Sequence, residues 1–239
     1  MKTSVIIASA GTGKRFGTAV PKQYLDLCGL QVIVRTLMMF ENLKEINTIV
    51  VAVNPEWEDF LKNLTELHNL TKVADIVHGG AERKDSIANA LLAPAIAEDD
   101  IILVHDAARP FATPDLTRRV IASAAEMGSA VPVIMPKDAV KQIRSDGFID
   151  YTLERSNLRQ AQTPQGFRAE ILRAAYASAG NFAGVDDASL AEAAGFQVAT
   201  VEGDERNIKI TTPLDWSIAR LILEVHSNAL YDGTQFSRQ

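Results

Sequence analysis

Val5-Ile6-Ile7-Ala8-Ser9-Ala10-Gly11-Thr12-Gly13-Lys14-Arg15-Phe16-Gly17 is the stretch on which the fold turns. A run of β-branched and small apolar residues passes directly into a loop of small residues, glycines and two cations. The apolar run, Val5–Ser9, reads as a strand buried on both faces. The loop reads as an anion cradle. Glycines let the backbone approach a ligand closely, successive N–H groups point at it, and Lys14 and Arg15 add positive charge suited to a polyphosphate.

Two familiar phosphate motifs do not fit these residues. A Walker A loop needs Gly-x-x-x-x-Gly-Lys-Ser/Thr. Here Ala8 stands where the first glycine belongs, and Arg15 follows Lys14. A dinucleotide fingerprint needs Gly-x-Gly-x-x-Gly and an acid after the second strand. Gly11-x-Gly13 lacks the third glycine in register, and Val53-Asn54-Pro55 offers no acid. A tight strand–helix turn with surface charges is the plainer alternative for this segment taken alone.

Outward from the loop, apolar runs alternate with amphipathic segments. Thr48–Val53, Val73–Val77, Ile101–Val104 and Ala130–Ile134 read as strands. Val32–Phe40, Trp57–Leu67, Asp85–Leu92 and Pro114–Met127 carry the helical period, the last opened by a capping Thr113 with proline in first position. Alternation of this kind implies an α/β fold: a Rossmann-like three-layer α/β/α arrangement around a mostly parallel sheet. After Pro136 the pattern breaks. Ala139–Arg144 and Phe148–Leu153 alternate as strands around Ser145-Asp146-Gly147, a hairpin signal. Residues 137–155 are therefore expected to form a protruding β-arm. A two-stranded hairpin is marginal alone, so it leans on its own domain or on a second subunit. Helices from Ala169 and at Asp186-Asp187, a strand at Gln197–Val201 and a helix from Pro213 to Val225 follow. Residues 227–239 are polar and expected to fray. No repeat or linker interrupts the chain, so residues 1–239 are expected to form one domain.

The chain has 239 residues and a formal net charge of −6, with 47% hydrophobic and 23% charged residues. That balance is ordinary for a globular protein and suggests neither a nucleic-acid nor a membrane partner. The N-terminal apolar run is too short for a signal sequence and is followed by charge, and no stretch approaches a membrane span; a cytoplasmic location is expected. Cys28 is the one cysteine. In its apolar context a buried structural thiol is expected.

Val20-Pro21-Lys22-Gln23-Tyr24 follows the glycine loop. Gly-x-Gly-x-Arg followed by Pro-Lys-Gln resembles the nucleotidyltransferases that activate sugar and polyol phosphates. More specifically, it resembles the 2-C-methyl-D-erythritol 4-phosphate cytidylyltransferase family of the non-mevalonate isoprenoid pathway. The resemblance runs along nearly the whole chain. It takes in Gly79-Gly80-Ala81-Glu82-Arg83-Lys84-Asp85-Ser86, Val104-His105-Asp106-Ala107-Ala108-Arg109-Pro110-Phe111, Arg155-Ser156, Gln162-Thr163-Pro164-Gln165-Gly166-Phe167 and Asn207-Ile208-Lys209-Ile210-Thr211. Three positions depart from the family pattern. Ala139 and Val185 stand where threonine is common, and Ala81 replaces a frequent aspartate.

The resemblance implies an enzyme that joins CMP from CTP to a polyol phosphate and releases pyrophosphate. The acceptor phosphate is largely ionised near neutral pH, so no general base is needed. Accordingly, none of His68, His78, His105 and His226 has metal-ligand or triad spacing. What the reaction needs is fixed positive charge at the α-phosphate. By resemblance, Arg15 and Lys22 stabilise the transition state, Lys209 orients the acceptor phosphate, and Arg155 holds that phosphate, in its own or in a partner subunit's site. Ala10, Gly11 and Gly13 line the phosphate loop; Gly80 and Ala81 belong to the base-recognition loop. Ser86 either hydrogen-bonds cytosine or caps the helix near Asp85. Asp106 and Arg109 follow a strand at the end where α/β sheets place ligands, and are assigned to the acceptor's hydroxyls. They could instead be an ion pair tying down a loop. Thr163 is expected on the acceptor phosphate. Asp186 and Asp187 read as helix N-caps, and His105 as a structural strand-end residue. Mg²⁺ is the expected cofactor, with Asp106 as its one candidate ligand. A homodimer through the arm is expected. Ribitol 5-phosphate is the alternative acceptor, and a non-catalytic nucleotide-binding module a more distant alternative.

Overall fold

The computed structural model describes residues 1–11, 13, 16, 17, 20–180, 182 and 184–232. Its strands are β1 (Thr3–Ser9), β2 (Asp26–Leu27), β3 (Leu30–Gln31), β4 (Thr48–Val53), β5 (Val73–His78), β6 (Ile101–Asp106), β7 (Ser129–Ile134), β8 (Lys141–Ile143), β9 (Ile149–Thr152), β10 (Gln160–Ala161), β11 (Gln165–Arg168) and β12 (Ala199–Glu202). Its helices are α1 (Val32–Glu41), α2 (Glu58–Leu67), α3 (Arg83–Ala90), α4 (Pro114–Met127), α5 (Ala169–Ser178), α6 (Asp187–Ala193) and α7 (Pro213–Asp232).

Among the described residues, eight strands form the central sheet, in the order β10-β7-β11-β6-β1-β4-β5, with β12 on β7. Strands β6, β1, β4 and β5 run parallel, as does the β7–β12 pair. The antiparallel β11 lies between β6 and β7, and the short β10 is also antiparallel to β7. The sheet is therefore mixed with a parallel core. Val5, Ile6 and Ile7 are all fully buried, because both faces are covered. Val5 and Ile7 pack with α1, α2 and α4 through Ile33, Leu37, Leu61 and Val120. Ile6 points to the opposite layer, with Ile87, Leu172 and Leu190 of α3, α5 and α6. The expected three-layer α/β/α architecture is thus present. Thr113 caps α4 by accepting from Leu116 N.

Three expectations change. Cys28 is exposed, because Cys28 and Gly29 both adopt positive φ (56° and 86°) in the two-residue turn joining β2 to β3. Helix α3 starts at Arg83, two residues before the expected start. Helix α7 runs Pro213–Asp232, past the expected helix end at Val225, and residues 233–239 lie outside the described residues. The arm is present as the β8–β9 hairpin. Residues 141–152 are all exposed, including Ile143, Phe148, Ile149 and Tyr151, so none of the described residues covers them.

Candidate active site

A cleft of about 380 Å³ opens at the carboxyl ends of β1, β5 and β6. Ala10, Gly11 and Gly13 line it from the loop after β1, together with Lys22. Gly80, Ala81 and Ser86 line it from the loop after β5 and the start of α3. Asp106 and Lys209 close the far side. These nine residues, separated by up to 199 positions in sequence (209 − 10), meet because parallel strands deliver their following loops to one edge of the sheet.

The two loops that wall the cleft are held at a set distance. Gln23, buried beneath the first loop, donates through Nε2 to Ser9 O (2.8 Å) and Gly11 O (2.9 Å). Gly13 sits at φ 67°, where a side chain would be strained. In the second loop, a Cβ on Gly79 would lie 2.2 Å from Ala10 Cβ, so only glycine allows the loops to approach this closely. Ser86 does not cap α3, and it lies on the cleft lining. The N-cap of α3 is Glu82, whose N–H donates to Asp85 Oδ2. The Ser86 hydroxyl donates to Glu82 O and accepts from Gly80 N, bracing the loop from within the cleft wall.

Asp106 is the electrostatic centre of the cleft. It is 7% exposed. Lys209 Nζ meets its Oδ2 at 2.8 Å, Arg109 Nε approaches the same oxygen at 3.5 Å, and Arg83 Nε approaches Oδ1 at 3.4 Å. Burial opposes ionisation, but Lys209, Arg83 and Arg109 outweigh it and hold the carboxyl well below the usual carboxylate range. Lys209 reaches this place because its segment is strapped to the end of β6. Ile210 N donates to Ala108 O, and Arg109 Nη1 to Asn207 O (2.7 Å).

Arg109 is not on the cleft lining; it pairs with Asp106 from the side of the Asn207 segment. Thr163 is likewise placed behind the wall. It is 5% exposed, and its hydroxyl accepts from Asp106 N (3.1 Å) and lies 2.9 Å from His105 Nδ1. His105 is fully buried, its Nε2 on Arg109 O, and burial pushes its imidazole down to about 4. It is a neutral structural residue. Arg155 lies outside the cleft, exposed at the base of the arm, with Nη1 on Lys137 O. Arg15 lies outside the described residues. Asp186 caps α6 through Ser189 N, as expected. Asp187 does not cap. It is wholly buried, accepting from Arg83 Nη2 (2.7 Å) and Tyr176 Oη (2.6 Å). Arg83, Gln23 and Tyr176 were not singled out by the sequence, although Arg83 and Gln23 stand inside the quoted motifs.

Among the described residues no group of three or more His, Cys, Asp and Glu could hold a metal. Glu82 and Asp106 are the carboxylates on the lining, and Asp106 already has cations on both oxygens. Such a donor set fits an ion carried in on phosphate oxygens. No helix of the described residues is long and apolar enough to cross a membrane.

A glycine-rich loop after the first strand, a second loop facing it and lysines on either side define a nucleotidyltransferase of the α/β class. The family profile of 2-C-methyl-D-erythritol 4-phosphate cytidylyltransferase matches residues 3–225, and the chain belongs to that family. It is 43% identical over 227 residues to 2-C-methyl-D-erythritol 4-phosphate cytidylyltransferase from Syntrophotalea carbinolica, covering 94% of this chain and 97% of that protein. Two solved structures are similar. One is 4-diphosphocytidyl-2C-methyl-D-erythritol synthase from Anaerococcus prevotii (TM-score 0.81, 30% identity, 93% of this chain and 96% of that one). The other is 2-C-methyl-D-erythritol 4-phosphate cytidylyltransferase from Thermus thermophilus (TM-score 0.77, 33% identity, 94% and 100%).

Proposed function

We propose that the cleft carries out the family's reaction, transfer of CMP from CTP to 2-C-methyl-D-erythritol 4-phosphate, with the following division of labour. An oxygen of the acceptor phosphate attacks the α-phosphorus of CTP; the bond from that phosphorus to the β-phosphate oxygen breaks, and pyrophosphate leaves. Ala10, Gly11 and Gly13 cradle the triphosphate with backbone N–H groups. Gly80, Ala81 and Ser86 face the base. Lys22, joined by Arg15, stabilises the charge that grows on the α-phosphate oxygens. Lys209 presents the acceptor phosphate, and Asp106 receives the acceptor's hydroxyls. The observation that carries this reading is the placement of Lys22 and Lys209 on one cleft, with Lys209 tethered to a buried carboxylate at 2.8 Å. Two anions can meet only where fixed cations offset their repulsion. A base is unnecessary, and the neutral His105 behind the wall agrees with its absence.

A bound divalent ion, Mg²⁺, would neutralise phosphate charge, and Asp106 on the cleft lining is the carboxylate that would face it. The arm supports a homodimer: it exposes Ile143, Phe148, Ile149 and Tyr151 on a hairpin with no cover of its own. In that dimer Arg155 reaches the partner's acceptor phosphate. Small, charged substrates suit work in the cytoplasm.

Pyrophosphate release from CTP tests the reading directly, measured with 2-C-methyl-D-erythritol 4-phosphate, with ribitol 5-phosphate and with neither. Turnover with the first well above the second supports it. A preference for ribitol 5-phosphate, or release without any acceptor, overturns it.

A further inference from the structure

Arg83 is the first residue of α3 and follows the base-facing loop Gly80-Ala81-Glu82 directly. Its guanidinium spans two carboxylates contributed by different parts of the chain. Nη2 donates to Asp187 Oδ2 at 2.7 Å, and Nε lies 3.4 Å from Asp106 Oδ1. Asp187 has no exposed surface, and its second oxygen takes the Tyr176 hydroxyl. A buried carboxylate needs its cation, so Asp187 anchors the far end of Arg83. Burial works against the charge on Arg83, but Asp187 and Asp106 together hold it above the ordinary arginine range. The planar fork of arginine suits this; a lysine would meet two acids as a single point.

The near end of Arg83 then acts on Asp106. Lys209 and Arg109 both bind Oδ2. Oδ1 has Arg83, which fixes the carboxylate plane and so the direction in which Lys209 is held. The Lys209 side chain is 38% exposed and, without that carboxylate, would be free to swing.

We propose that Arg83 is a positioning residue for the acceptor side of the reaction: anchored by Asp187 and Tyr176, it sets Asp106, and through Asp106 the ammonium of Lys209. This rests on the functional reading above. It places a residue of the nucleotide-facing segment in charge of acceptor geometry. Asp187, distant in sequence and absent from the cleft lining, acts through it.

The test compares wild type with Arg83→Gln, Arg83→Lys, Asp187→Asn and the Arg83→Gln/Asp187→Asn double variant. CTP dissociation constants come from direct titration, and KM for the acceptor and kcat from pyrophosphate release. For Arg83→Gln the expectation is a combined loss in acceptor KM and kcat of about 10- to 100-fold, the usual size for a residue supporting a functional one. CTP affinity stays within about threefold. Arg83→Lys and Asp187→Asn shift the same parameters by less, and they carry the comparison if Arg83→Gln does not fold. The double variant matches Arg83→Gln alone, because Asp187 acts only through the arginine. CTP affinity falling in step with acceptor KM would overturn the proposal, as would losses that multiply in the double variant. Wild type that binds CTP but releases no pyrophosphate with the acceptor would overturn the functional reading before any variant is made, so the two failures separate.

Discussion

Gly79→Ala should act as a wedge between the two loops that wall the cleft and are proposed to hold the nucleotide. The new Cβ would stand 2.2 Å from Ala10 Cβ and 2.8 Å from Ser86 Oγ. Carbon atoms pack best at about 3.5–4.0 Å, so the two methyl groups must separate by about 1.3–1.8 Å. Gly79 cannot easily retreat, because its N–H is bonded to Val53 O at 2.8 Å at the end of β4. The displacement therefore falls on Ala10, and with it on the phosphate loop. Overpacking of this kind costs about 1–3 kcal/mol. If that cost appears in binding geometry, the CTP dissociation constant rises about 5- to 150-fold. Calorimetric titration of CTP into wild type, Gly79→Ala, Ala10→Gly and the double variant would measure it. Ala10→Gly removes the atom in the way, so the double variant should bind CTP within about threefold of Ala10→Gly alone. Unchanged CTP affinity in Gly79→Ala would refute the reasoning. So would a double variant as weak as the single one, since the contact with Ala10 would then not be the cause.

Lys22→Ala should lower kcat by about 100- to 1000-fold while weakening CTP binding much less, because its proposed role lies in the transition state; near-normal turnover would remove the assignment. Stability should fall with acidification between about pH 6.5 and 4: unfolded His105 takes up a proton near 6.5 and the folded one near 4, so the unfolded state holds more protons in that window. The full effect is about 3 kcal/mol, and urea midpoints for wild type and His105→Gln should show a flatter pH slope in the variant. Mixing Arg155→Ala with Lys22→Ala subunits should restore about a quarter of wild-type activity if Arg155 serves the partner's site, since half the dimers are mixed and each has one intact site; verified exchange without recovery would place Arg155 in its own chain. Ala139→Thr should lower the acceptor's KM by the worth of one hydrogen bond, about 0.5–1.5 kcal/mol, with CTP affinity unchanged.

Much of the fold was legible because its signals are local. Thr48–Val53 and Pro114–Met127 have the bounds read from β-branched runs, helical period and a capping threonine. Strand β11 was not legible: Gln165-Gly166-Phe167-Arg168 is four residues without alternation, and its place between β6 and β7 depends on partners far away in the chain. Cys28 misled because its neighbours are apolar, whereas its exposure follows from a turn geometry. Asp187 read as a helix cap because acids favour helix starts. Its actual partner, Arg83, is 104 residues away.

By itself, the sequence determined the layers, the arm, the glycine loop and the family of chemistry, since period, turn residues and motif spacing act over a few neighbouring positions. It could also name Lys22, Asp106 and Lys209 as candidates from their motifs. Only the tertiary structure decided which of the candidates face the cleft. It put Thr163 and Arg109 against Asp106, bonded Ser86 to its own loop on the cleft lining, and joined Arg83 to Asp187 and Asp106. A hydroxyl or a charge can be read from one position. What it faces is set by burial and by partners that chain connectivity does not bring close until the sheet has formed.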